Sequence, residues 1–206
     1  MKARRLLDAL AFAGAILAGP LSRLPVRALG DEGRRTLPGD DLLPDAMGQW
    51  TNAITIRKRP ADIWPWLAQM GCNRAGWYSY DGLDNGGVPS AERIVPELQT
   101  VAVGDVFPWT PTDSTGFVVR AVEPGRALVL GGTPPPYQVT WALVLEPIDG
   151  TSTRLITRSR GTPRSAPVKL LLQVAVHPIH FAMQRKQLLN VKRRVEARAL
   201  GVPAQE

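Results

Sequence analysis

Two pairs of side chains in the 206-residue sequence combine residue type and spacing in a way that suits proton transfer: Asp81 with Asp84, and His177 with His180. Each pair is three residues apart, so a helix carrying it would present both groups near one face. A carboxyl raised by an apolar pocket, or an imidazole near its ordinary range, serves as a general acid or base. The same residues have plain structural uses. An aspartate caps a short helix or meets Arg74 or Arg93, and a histidine opens a helix or sits on the surface. A third group, Arg154, Arg158 and Arg160, falls on one face of a segment with period two. Facing a cavity, such a row would select an anionic head group; facing water, it is a set of ordinary edge charges. The sequence favours water.

Other chemistries are not signalled. There is no glycine-rich phosphate loop, no nucleophile elbow around a serine and no dinucleotide fingerprint. One cysteine, Cys72, excludes an internal disulfide, and with two histidines it leaves no recognisable ligand spacing for zinc. The expectation is no metal and no cofactor.

The densest chemical signal is aromatic. Between Trp64 and Tyr80 lie three of the six tryptophans and two of the three tyrosines. Rings of this kind bury roughly 150 to 250 Å² each, and their polar tips seek partners. They belong to a core or to the wall of a ligand cavity.

These side chains must be positioned by an order of elements that can be read along the chain. Trp50 to Ile56 is aromatic and β-branched and suits a first strand. Pro60 fits a first helical turn, and the helix should run to about Met70 with Gly71 beyond it. A short helix or wide turn near Ser79 to Asn85 and another helix near Ser90 to Leu98 follow. From Gly104 the signals become those of strands. Gly116 to Val122 and Arg126 to Leu130 flank the turn Glu123-Pro124-Gly125, and Tyr137 to Glu146 alternates before Asp149-Gly150 turns the chain into Ser152 to Arg160. The longest helical segment, Val168 to Leu200, carries Phe181, Leu188 and Val195 at heptad spacing with Val174 and Val191 between them, and Pro178 should kink it or start it anew. Arg185, Lys186, Lys192 and Arg193 form the opposite, solvated face. The class is α+β: a curved antiparallel sheet, buried on one face by the long terminal helix, with short helices after the first strand.

The formal charge of +7 is concentrated at the ends. Lys2, Arg4, Arg5, Arg23 and Arg27 oppose only Asp8, and Arg185, Lys186, Lys192, Arg193, Arg194 and Arg198 oppose only Glu196, so the body between is close to neutral. Without aromatic residues interleaved among those cations, nucleic-acid binding is not expected. Residues 1-30 form a basic, apolar segment, too short for a comfortable membrane span of ~20 residues, with the layout either of a signal peptide or of a helix lying on an anionic membrane surface through residues 1-29. Membrane association, on the cytoplasmic side, is the expected location, and export is the alternative. Residues 31-49, rich in turn formers, read as a linker, 50-200 as the folded domain and 201-206 as a tail.

Several segments, taken together and in order, resemble a known family. They are Ile54-Thr55-Ile56, Arg59 to Leu67, Met70-Gly71, Arg74 to Asp81, Leu83-Asp84-Asn85, Ser90 to Ile94, Val103 to Val106 and His180 to Lys186. Over roughly residues 50 to 195 the chain is similar to a branch of the SRPBCC superfamily, the START-like, helix-grip proteins that include lipid-transfer domains and polyketide cyclases. The resemblance implies a deep apolar cavity between sheet and last helix, with Trp66, Trp77, Tyr78, Tyr80, Trp109, Phe117, Trp141 and His180 as candidate lining. It implies binding or transport of a hydrophobic small molecule, lipid-like or polycyclic. A cyclase or aromatase using a cavity histidine or carboxylate, and a membrane-associated scaffold, are the alternatives. Cys72-Asn73 departs from the pattern.

Overall fold

The computed structural model describes residues 26–109, 111, 115–132, 137–163 and 177–197. The expected membrane segment up to residue 25, positions 168–176 of the expected terminal helix and the tail lie outside them.

Six strands form one antiparallel sheet in the order β1-β6-β5-β4-β3-β2, where β1 is Gly48–Ile56, β2 Val106–Pro108, β3 Gly116–Glu123, β4 Ala127–Gly132, β5 Tyr137–Pro147 and β6 Thr153–Pro163. Between β1 and β2 come α1 (Pro60–Ala68), the single turn α2 (Asp81–Asp84) and a 3₁₀ turn, Pro96–Leu98; α3 (His177–Ala197) closes the described chain. The two expected hairpins form. Arg126 N donates to Glu123 O at 2.9 Å, with Gly125 at φ +77°, and Ile148 N donates to Ser152 O at 2.9 Å. Pro65 lies inside α1 without ending it, and Pro178 is the second described residue of α3.

Alternation sorts the strands into two faces. Ile54 pairs with Leu155 and Leu155 with Leu145, while Leu128 pairs with Leu143 and Leu130 with Trp141. Cross-strand partners share a face, so these side chains form the inner layer. Leu188, Val191 and Val195 of α3 and Ile63, Trp66 and Leu67 of α1 pack onto it. Phe181, the first member of the expected α3 stripe, is only half-buried.

The helix expected near Ser90 to Leu98 reduces to one 3₁₀ turn. The backbone there bonds to distant partners. Ala91 N donates to Ala75 O at 2.9 Å, Val95 N to Gln69 Oε1 at 2.9 Å, and Gln69 Nε2 to Arg93 O at 3.1 Å. Tertiary pairing overrides local helical preference.

Two readings need correction on the outer face. The segment taken as a linker packs on the sheet, with Leu37 set among Ala53, Val129, Ala142, Val144 and Ile156. Val26 is buried in the main core, so residues 26–29 of the presumed surface helix are partly held by the fold. Arg154, Arg158 and Arg160 consequently do not face water. Arg154 makes a two-bonded pair with Glu32 (2.7 and 3.0 Å), Arg158 pairs with Asp40 and donates to Glu32 O and Arg35 O, and Arg160 reaches Asp40 at 3.1 Å. An apolar outer face needs cover, and the segment that supplies it also brings the acids that match the row of guanidiniums. The row does not face the inner cavity either.

Candidate functional site

The inner face of the sheet is filled by side chains at its β1 end, but toward β3 aromatic rings take over. Phe117 of β3 stands 5.5 Å from Trp141 of β5 and 5.5 Å from Trp109, ring centre to ring centre, and Trp77 lies 5.7 Å from Trp141 and 6.0 Å from Phe117. Most of these contacts are edge-to-face, which leaves angular space between rings. The result is a hollow of about 240 Å³, lined by Trp77, Ser79, Asp84, Trp109, Phe117, Trp141, His180, Met183, Gln184 and Gln187.

Trp77 reaches the hollow because of the backbone around it. Gly76 has φ +80° and Tyr78 φ +57°, left-handed values that a tyrosine adopts only when its surroundings impose them. Ser90 Oγ accepts from Tyr78 N at 3.1 Å, and two side chains of α3 hold the adjoining carbonyls: Gln187 Nε2 donates to Trp77 O at 3.0 Å and Asn190 Nδ2 to Tyr78 O at 2.8 Å. Trp77 therefore lines the hollow while Tyr78 turns into the core. There the Tyr78 hydroxyl accepts from Gln69 at 2.8 Å, its ring packs 5.9 Å from Trp66, and burial pushes its phenol above the ordinary range.

Five of the eight expected residues, Trp77, Trp109, Phe117, Trp141 and His180, come together around the hollow. Three are placed elsewhere. Trp66 and Tyr78 belong to the packed core, and Tyr80 is buried beneath Lys186, whose ammonium lies 3.9 Å from its ring centre. Alternation through the left-handed turn divides Trp77 from its aromatic neighbours. His177, one member of the imidazole pair, opens α3, and the structure describes no more of it than its backbone.

The floor is a polar string. Thr157 Oγ1 accepts from Trp141 Nε1 at 2.8 Å and from Gln184 Nε2 at 2.6 Å, and Gln184 Oε1 accepts from Asn52. These buried amides and the indole are satisfied, which fixes the Trp141 ring.

Asp81 and Asp84 have separated roles. Asp81 accepts from Ser90 Oγ and so anchors the Tyr78 loop. Asp84 lines the hollow, and its two buried carboxyl oxygens have no hydrogen-bond donor among the described residues, the nearby Ser79 hydroxyl donating instead to Met183 O at 3.1 Å. Burial pushes its pKa up to about 7, helped by the neighbouring Asp81 charge, with the nearby Ser79 hydroxyl and Lys186 pulling the other way. Neither aspartate meets Arg74, which instead donates to Ala68 O, Met70 O and Leu98 O and lies 4.6 Å from the Phe107 ring centre. Gln187 also has a buried amide oxygen without a partner.

Among the described residues there is no cluster of three or more His, Cys, Asp or Glu that would hold a metal ion, and no helix long and apolar enough to cross a membrane.

A long terminal helix lies over the inner face of a curved six-stranded antiparallel sheet, with the hollow between them. The architecture is a helix grip. No family profile and no curated protein sequence matches the chain. Solved helix-grip structures resemble it at low identity. An aromatase/cyclase from Streptomyces sp. R1128 is 17% identical, with a TM-score of 0.46 over 75% of this chain and 99% of that one. A point mutant of norcoclaurine synthase from Thalictrum flavum is 13% identical, with a TM-score of 0.44 over 74% and 96% of the two chains. A polyketide-cyclase-like protein from Corynebacterium glutamicum is 14% identical, with a TM-score of 0.40 over 79% and 99%. At this level no activity passes from those proteins to this helix grip, and the account of its site rests on its own residues.

Proposed function

We propose that the protein binds a compact, hydrophobic, ring-containing small molecule in the hollow between sheet and α3. The supporting observation is that Trp77, Trp109, Phe117 and Trp141 line a half-open hollow of about 240 Å³ instead of closing on one another. A concave, aromatic-walled space with a few polar groups converging on it is the natural seat of a ligand. An apolar cavity of about 150 Å³ is enough to hold benzene. By that measure the hollow suits one or two fused rings better than a long acyl chain, which favours a ring compound over a lipid. Native mass spectrometry of the protein purified from its own host tests the reading. A retained small molecule supports it, and repeated absence of any, together with no uptake of neutral ring compounds, contradicts it.

One observation favours a second reading, a cyclase-type enzyme acting on a ring-forming substrate. Asp84, its pKa pushed up to about 7, borders the same hollow as His180, and a carboxyl poised near neutrality suits proton transfer. Its test is turnover of a confirmed substrate by Asp84→Asn and His180→Ala variants, which should lose most of the rate if either group moves the proton. Association of residues 1–25 with an anionic membrane surface is a further part of the proposal, supported by their basic, apolar composition. Co-sedimentation with anionic liposomes that survives deletion of residues 1–25 would count against it.

A further inference from the structure

The hollow has a charge character as well as an aromatic one. Asp84 is the one carboxylate along its described lining, and the only other titratable group there is His180. No Lys or Arg stands along the described lining; Lys186 lies over the Tyr80 ring while its charge still acts on Asp84, and the row formed by Arg154, Arg158 and Arg160 is paired on the opposite face of the sheet. Both oxygens of Asp84 and the amide oxygen of Gln187 are buried without a hydrogen-bond donor among the described residues. A buried polar atom left unpaired is costly, and in a native protein it calls for a partner. All three orphaned atoms are acceptors, so the missing partner is a donor. Around them stand three indoles and a phenyl ring, whose faces attract cations.

Resting on the reading that this hollow is a binding site, we infer that its ligand is a ring-bearing amine in its ammonium form, with the charged nitrogen at Asp84 and the ring among Trp77, Trp109, Phe117 and Trp141. The ammonium supplies the hydrogen-bond donors that Asp84 and Gln187 lack, and the positive charge gains from the aromatic walls. An anionic ligand of the same shape, such as a carboxylic acid, meets the Asp84 charge in a sheltered site and is rejected. A neutral alcohol keeps the apolar contacts and loses the charge-assisted bond.

The experiment is titration calorimetry of the full chain, at a mildly alkaline pH, with three probes that share one ring system: naphthylmethylamine, naphthylmethanol and naphthoic acid. The amine should bind at least about tenfold more tightly than the alcohol, the margin of one charge-assisted hydrogen bond, and the acid most weakly. In an Asp84→Asn variant, which keeps the size and polarity of the side chain, the amine's advantage over the alcohol should vanish. An amine that binds no better than the alcohol, or an advantage that survives Asp84→Asn, overturns the inference and leaves the ring-binding hollow standing. If none of the three probes binds the native chain, the binding site itself is refuted and the inference goes with it.

Discussion

Arg158 of β6 and Asp40 of the segment before β1 form an ion pair whose side chains are 1% and 9% exposed. Asp40 also accepts from Leu37 N at 2.9 Å and pairs with Arg160. The N-terminal segment is thereby tied to the outer face of the sheet whose inner face carries the hollow.

Removing one partner strands a buried charge. Asp40→Ala should cost about 3 to 5 kcal/mol in urea unfolding. A loss below about 1 kcal/mol would mean that the segment is not held on the sheet through this pair.

This part of the fold shows what the sequence concealed. Period two correctly places Arg154, Arg158 and Arg160 on one strand face, but their partners Glu32 and Asp40 lie over a hundred positions away, among turn residues with no periodicity. Only the three-dimensional fold joins them. The strands, both hairpins and the terminal helix were legible because alternation and Pro-Gly or Asp-Gly turns act locally. The aromatic wall was partly legible. Density of rings between Trp64 and Tyr80 marks the region, yet the left-handed backbone at Tyr78 decides which ring lines the hollow, and that depends on Ser90, Gln187 and Asn190. Met183, Gln184 and Gln187 were missed as lining residues, although with His180 they follow helical spacing on one face of α3. The apolar stripe through Leu188 and Val195 marks the neighbouring face of the helix more strongly in the sequence.

The loop carrying Trp77 should be sensitive at Gly76. A Cβ there would sit 2.3 Å from Ser90 Oγ and 2.9 Å from Ser90 Cα, at φ +80°. Gly76→Ala should destabilise the protein by about 2 kcal/mol or more and weaken binding of ring compounds by displacing Trp77. Gly150→Ala, where a Cβ meets nothing within 4 Å, should change thermal stability little. Equal melting temperatures for the two variants would contradict this account of the loop.

Thr157→Val should leave the indole N–H of Trp141 and the amide of Gln184 without an acceptor. Two unpaired buried donors cost on the order of 3 kcal/mol, read by chemical denaturation. Thr157→Ser, which keeps the oxygen, should recover most of that loss. No recovery would assign the effect to the lost methyl group instead.

Stability should also carry the signature of Asp84. Its folded pKa of about 7 lies above the ordinary 3.8, so between those values the folded state holds a proton that the unfolded state has released. Its contribution is therefore fully present below pH 3.8 and is lost as pH rises through about 7. Asp84→Asn should remove that decline and melt at a higher temperature than the native protein above pH 7. Parallel melting curves against pH for the two proteins would show that the carboxyl is not sheltered by the fold.

Rings line an occupiable space beneath α3, and the six indole N–H signals of the protein report on it directly. On titration with naphthylmethanol, a neutral probe, the signals of Trp77, Trp109 and Trp141 should shift together and saturably, while that of Trp66, packed in the core, stays in place. Unmoved signals from the first three, or an equal shift of Trp66, would contradict the claim.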